Sequence, residues 1–332
     1  MRALVYQNAS LILKHDYPLP APREGEALIR VLITGICNTD LEIIQGYMGF
    51  QGIPGHEFVG VVEQICGDVA LSHYGHLLGK RIVGEINAAC YQSDCFFCQR
   101  DMPSQCPQRT TLGIDRRDGA FAEYLTLPVQ NLYPVPEQVS DEEAVFVEPL
   151  AANFEILEQV HLHPTDRVLI LGDGKMGQLA AQVLSLSGSN IAMIGHNAEK
   201  LALAEARGIR TYLSHDDAYF SLEDKHPIDV VVECSGSAQG FETALRLVRA
   251  RGTLILKSTV AAKSTLNLAP IVINEIRVQG SRCGPFAPAL HALNQHLFDI
   301  QPLISVCYSL NEGLQAFEYA QQKGVLKVLM RI

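Results

Sequence analysis

The sequence predicts an α/β protein of two domains, one β-rich and barrel-like, the other a doubly wound parallel sheet. Three observations carry that expectation. The chain has 332 residues, more than a single hydrophobic core usually serves. Through the first 150 or so residues the apolar runs ALIRVLITGI, FVGVVEQI, RIVGEI and FAEYLTL are short and broken by Gly, Pro and Asp, as strands joined by long loops are. From Pro164 the pattern becomes strand, turn and helix in repetition, which builds a parallel sheet covered on both faces.

The elements of the second half follow in order. VLILG (168–172) reads as a buried strand and MGQLAAQVLSLSG (176–188) as a helix closing on Gly188. NIAMIG (190–195) is the second strand, and AEKLALAEARG (198–208) a helix ending at Gly208. DVVVECSG (229–236) precedes a helix with Phe241, Leu245 and Val248 on one face; TLILKST (253–259) and RVQGS (277–281) complete the set. After Pro285 short mixed elements return, expected to rejoin the first domain. The predicted division is 1–151 with 286–332, and 152–285.

Composition narrows the partners. A formal net charge of −10 argues against nucleic acid and anionic membrane, both of which need a basic footprint. The opening MRALVYQNASLILKH lacks the charged and apolar regions of a signal peptide, and no apolar run approaches the roughly 20 residues of a membrane span. A cytoplasmic protein that binds neither membrane nor nucleic acid is expected. There thiols stay reduced, so NAACYQSDCFFCQRDMPSQC (87–106), with four of the nine cysteines in C-x4-C-x2-C-x7-C, points to metal rather than disulfides. Cys66, Cys234, Cys283 and Cys307 have no such spacing and read as core thiols; His161 and His163, just before Pro164, read as surface.

GDGKMG (172–177) is a G-x-G-x-x-G set between a strand and a helix. Gly172 permits the tight turn, Gly174 lets backbone approach a pyrophosphate, and Gly177 lets helix and strand close together. With Asp173, Lys175 and Met176 these residues form the candidate dinucleotide loop, the helix N-terminus facing the phosphates. The second strand ends in Gly195-His196-Asn197, where an NAD site usually carries an acid. With no carboxylate at that position and with His196 and Lys200 at hand, NADP is favoured over NAD.

Two earlier segments, GICNTDLE (35–42) and GHEFVG (55–60), stand out together with DGAFAEY (118–124) and EPLAA (148–152). In this order, with the cysteine loop and the glycine loop, they resemble the medium-chain zinc-dependent alcohol dehydrogenase family from end to end. The likeness is to its sorbitol and threonine dehydrogenase branch. The resemblance implies a GroES-like catalytic barrel and a Rossmann domain. It also implies that Cys37, His56 and a carboxylate hold a catalytic zinc. Glu148, 24 residues before Gly172, falls at the third ligand's place, and Glu57, beside His56, is the alternative. Thiolate, imidazole and carboxylate neutralise Zn²⁺ and leave a fourth position open. Asp40 would orient His56 through its other ring nitrogen. Thr39 stands at the family's proton-accepting hydroxyl, and Glu42 where a relay His is often found.

The family's second zinc takes four cysteines with x2 as the first gap. Here that gap is x4 and Gln92 occupies the strict position, so a two-residue insertion precedes Cys95, Cys98 and Cys106, with Cys90 as the first ligand. Four thiolates fill the tetrahedron and carry net −2 with the ion, which makes the site structural. Two zinc ions per chain follow. The expected activity is hydride transfer between an alcohol or polyol, or the matching aldehyde or ketone, and NADP or NAD. The expected assembly is a homodimer or homotetramer. Alternatives are a zinc-free reductase relative and a non-catalytic nucleotide-binding protein on the same fold. Tyr47, Phe50 and Leu112 are candidate pocket residues.

Overall fold

The computed structural model describes residues 1–214, 227–259 and 266–332. They form two compact units: Met1–Glu148 with Phe286–Ile332, and Pro149–Pro285. The crossing falls at 148/149, three residues before the expected 151/152, early in a helix, Val147–Gln159, that runs through it.

The first unit is built on a seven-stranded sheet. Its path runs Leu132–Pro134, Arg81–Gly84, Glu57–Ile65, Glu26–Ile36, Lys327–Arg331 and Ile304–Ser309, and Tyr124–Pro128 also pairs with Glu26–Ile36. Glu26–Ile36 is the spine: eleven residues, nearly all buried. Its ladder with Glu57–Ile65 shifts register at Leu28/Ile29 and Val31/Ile33, and such bulges bend and twist a sheet toward closure. Leu4, Ile53, Phe121, Phe317 and Met330 fill the core on one side, the rings of Phe121 and Phe317 meeting edge to face at 5.3 Å.

The second unit holds a six-stranded parallel sheet in the order Arg210–Leu213, Asn190–Gly195, Arg167–Leu171, Ile228–Glu233, Val248–Leu256 and Arg277–Gly280. Numbered along the chain this is 3-2-1-4-5-6, the doubly wound arrangement whose strand order reverses beside the first strand. Its two faces bury separate clusters, one around Ile170, Val232 and Leu184, the other around Leu169, Val231 and Leu254. Both faces being covered explains why these strands read as unbroken apolar runs.

Two expectations are corrected. Val248 does not extend the helix face of Phe241 and Leu245: the helix Ala238–Leu247 ends before it, and Val248 opens the next strand opposite Ile228. A β-branched residue with a parallel partner is better placed there than in another helical turn. The unclustered cysteines are not all core either. Cys66, Cys234 and Cys283 are half-buried and Cys307 is exposed, since Ile304–Ser309 is an edge strand whose alternate residues face outward.

Candidate metal and dinucleotide sites

Strand register assembles the first site. In the ladder of Glu26–Ile36 with Glu57–Ile65, Gly35 faces Glu57. On the spine's other side Val328 faces Ile36, which brings Lys327 level with Cys37. The next residues, Asn38–Ile43, form a short helix carrying Thr39, Asp40 and Glu42. Cys37, His56 and Glu57 offer ligand atoms that all lie within 4.8 Å of one another. His56 is 3% exposed and Glu57 fully buried. Glu148, in the first turn of Val147–Gln159, is outside that trio.

Asp40 organises the trio from behind. Its Oδ2 accepts the Cys37 N–H at 2.8 Å and its Oδ1 the Gly55 N–H at 3.2 Å, and Oδ1 also stands 3.2 Å from His56 Nδ1. With Nδ1 facing a carboxylate, Nε2 is the ring nitrogen left for a metal. Burial disfavours a charged His56, but the charge and hydrogen bonding of Asp40, reinforced by Cys37, outweigh it and hold the ring well above its ordinary pKa. Thr39 Oγ1 lies 3.8 Å from Cys37 Sγ. Glu42 is half-buried on the same helix.

Lys327, which no motif singled out, completes the arrangement. It is fully buried and its Nζ is ion-paired with Glu57 Oε2. Burial works against its charge, yet Glu57, Cys37 and Glu148 hold its pKa above the ordinary value. Gly35 makes room, since a Cβ there would stand 2.7 Å from Glu57 Oε2. The one sequence signal was a lysine inside the apolar run VLKVLM; a strand lysine with no water needs a buried partner.

The four cysteines of the loop converge. Cys90 Sγ is 3.8 Å from Cys98 and 3.6 Å from Cys106, and Cys95 is 3.9 Å from Cys106. Disulfide sulfurs would be about 2.05 Å apart, whereas a zinc tetrahedron with bonds of about 2.3 Å has edges of about 3.8 Å. The donor set therefore fits that ion, Cys90 included, across its widened gap. At Cys106 burial raises the thiol, but backbone N–H groups at Cys90 and Gln108 and the neighbouring thiols bring it down to about 7. The loop's base is tied by Tyr91, whose hydroxyl donates to Asn131 Oδ1 at 2.7 Å, while Asn131 Nδ2 donates to the carbonyls of Glu85 and Asn87.

In the second unit the glycine loop sits at the sheet's reversal point, the Cys234 N–H donating to the Leu171 carbonyl. Gly172 has φ +118°, and a Cβ there would meet the Cys234 carbonyl at 2.8 Å; a Cβ on Gly177 would lie 1.9 Å from the Gly172 carbonyl. Gly174, the N-cap of Lys175–Ser185, has open space where its Cβ would be, so a ligand can approach its backbone. These three environments fit a bound pyrophosphate. Beside them His196 is exposed, Lys200 half-buried, and His196 Nδ1 lies 2.5 Å from Ser214 Oγ.

His161 and His163 are exposed, their rings 4.4 Å apart. Phe50 is buried with Tyr6 and Ile43, Tyr47 packs against that cluster, and Leu112 is fully buried. Among the described residues no helix is long and apolar enough to cross a membrane.

A barrel with a thiolate–imidazole–carboxylate trio, a four-thiol lobe and a dinucleotide fold together define a zinc-binding dehydrogenase. Comparison with known proteins agrees. Residues 23–137 match the family model for the alcohol dehydrogenase GroES-like domain, and residues 176–296 that for zinc-binding dehydrogenase. The erythritol/L-threitol dehydrogenase of Mycolicibacterium smegmatis is 30% identical over 298 residues, 82% of either chain. The sorbitol dehydrogenase of Halalkalibacterium halodurans is 27% identical over 95% of this chain and 94% of that one. A structure from Sinorhizobium meliloti 1021, described as a zinc-binding dehydrogenase bound to NADP, superposes with a TM-score of 0.87 at 27% identity, covering 100% and 99% of the two chains. The chain belongs to the medium-chain zinc-dependent alcohol dehydrogenase family. It is an oxidoreductase that works with zinc and a nicotinamide cofactor, passing hydride between an alcohol and that cofactor.

Proposed function

We propose that the chain is a polyol dehydrogenase carrying two zinc ions and preferring NADP weakly over NAD. The observation that carries this reading is the buried trio of Cys37, His56 and Glu57 with Lys327 behind it. Its relatives act on erythritol or L-threitol and on sorbitol, as their names state.

The roles divide by residue. Cys37, His56 and Glu57, with Glu148 as the exchange partner for Glu57, would hold the catalytic zinc, and Cys90, Cys95, Cys98 and Cys106 the structural one. Bound zinc supplies Lewis acidity toward a substrate oxygen, and the nicotinamide ring takes or gives the hydride. Asp40 fixes the tautomer and angle of His56. Thr39 Oγ1 would accept the alcohol proton while giving up its own hydroxyl proton, with Glu42, on the same helix, the candidate to pass that proton toward water. Gly172, Asp173, Gly174, Lys175, Met176 and Gly177 receive the pyrophosphate; His196, Lys200 and Gly195 lie at the ribose end. NADP is supported by His196 and Lys200 at that end and by the NADP-bound relative. The first unit is the catalytic domain and the second the dinucleotide domain. A homodimer or homotetramer in the cytoplasm is the proposed working state.

The test is a panel of tetritols, pentitols, hexitols and simple alcohols, with the matching carbonyls, assayed with NADP and NAD. Polyol turnover with either cofactor, lost on chelation and restored by zinc, is expected. Turnover of monoalcohols alone, or turnover insensitive to chelation, overturns the reading.

A further inference from the structure

We propose that Asp173 is a specificity-determining residue for the cofactor, standing in for the acid that this chain lacks at the end of its second strand. It rests on the dinucleotide site proposed above. Asp173 is the middle residue of Gly172-Asp173-Gly174, a position with no usual role in reading the ribose. Here its Oδ2 accepts the backbone N–H groups of both His196 and Asn197, each at 2.7 Å. Those are the two residues that follow the strand Asn190–Gly195.

Gly195 supplies the independent observation. A Cβ built on it would lie 2.4 Å from Asp173 Oδ2 and 2.5 Å from Asp173 Cβ. The strand-end position is bare because the loop's side chain already fills its space. A carboxylate thus occupies the strand end, delivered from the phosphate loop instead of from the strand. Two N–H donors fix Oδ2 in place, and among the described residues no hydrogen bond uses Oδ1. That oxygen can accept from a ribose 2′-hydroxyl, and the same charge repels a 2′-phosphate.

Opposite influences therefore meet at one place. His196, bonded to Ser214, and Lys200 favour the phosphate; Asp173 opposes it. Discrimination stays small and both cofactors are used, with Asp173 setting the limit on NADP preference.

Calorimetric titration of ADP-ribose and its 2′-phosphate into the zinc-loaded chain, without substrate, tests this free of turnover. Asp173→Asn keeps an acceptor for the two N–H groups and removes only the charge. Its affinity ratio should move toward the 2′-phosphate form by about tenfold or more. Asp173→Ser, which also empties the space over Gly195, should move it the same way. A ratio unchanged to within about twofold in both variants, including equal weakening of both nucleotides, overturns the proposal and leaves the dinucleotide site standing. Failure of both nucleotides to bind the wild-type chain overturns the dinucleotide site and this role with it, and binding of only one overturns the balance of influences proposed for Asp173.

Discussion

Lys327 and Glu57 form an ion pair in which both side chains are fully buried, although 270 residues separate them in sequence. Taking two charges out of water is costly, and removing one partner is costlier still, since the other is left uncompensated. Lys327→Met should therefore destabilise the chain by about 3–5 kcal/mol, read as a large fall in Tm. It should also lower zinc occupancy of the proposed catalytic site, because Glu57 would lose the buried charge partner that holds its carboxylate. A variant with wild-type Tm and zinc content would show the pair to be incidental.

Asp40 contacts Cys37, His56 and Gly55 with one carboxylate. Asp40→Asn retains the size but changes which hydrogen bonds can form. Partners of this kind typically cost about 10–100-fold in metal affinity or activity when altered. Zinc competition with a chelator and kcat/KM should both fall within that range, while the cysteine lobe keeps its ion.

The lobe is tested separately. Cys98→Ser should reduce zinc from two ions per chain to one and lower Tm by more than it lowers kcat at a permissive temperature, since four thiolates leave no position for substrate. Loss of kcat with Tm intact would reverse the assignment.

Glu42 lies on the helix Asn38–Ile43 with Thr39 and is the proposed proton relay. If it moves the proton, Glu42→Gln changes the pH–rate profile. A profile identical to wild type removes it from the mechanism and leaves Thr39 in direct exchange with water.

Asp229 predicts a pH dependence of stability. Burial raises its pKa, but the N–H of Arg167 at 2.8 Å and the Arg249 guanidinium at 2.7 Å lower it below the ordinary range. A depressed carboxylate pKa contributes stability above the unfolded value, near 3.9, and loses it as pH falls through the folded one. Asp229→Asn should thus lower Tm by about 2 °C at neutral pH. The difference should narrow as pH falls below the unfolded value and close only below the folded pKa, as thermal melts along an acid series from pH 7 downward would record.

Much of this was legible in the sequence because it depends on neighbours a few residues apart. The turn at Gly172, the approach at Gly174 and the close packing at Gly177 are local demands of one strand–turn–helix unit. The C-x2-C-x7-C run places three thiols on one short loop. Alternation of apolar runs with helical periods defines the parallel sheet whatever its environment. Cys37, His56 and Glu148 were named only through a resemblance, since a single Cys or His carries no spacing of its own.

What tertiary structure decided lies between residues far apart in the chain. The choice of Glu57 for the tight trio follows from a register that sets it opposite Gly35, and Lys327 reaches it because the last strand pairs with the spine at Ile36. Cys90 joins the other thiols because folding brings the sulfurs within 3.6–3.9 Å, whatever the gap. Asp173 covers Gly195 across two strands of the sheet. Sequence by itself determined the elements and the donor types, because these follow from local sterics and polarity. Which donors share a site depended on strand register and loop packing, whose energies are summed over contacts distant in sequence.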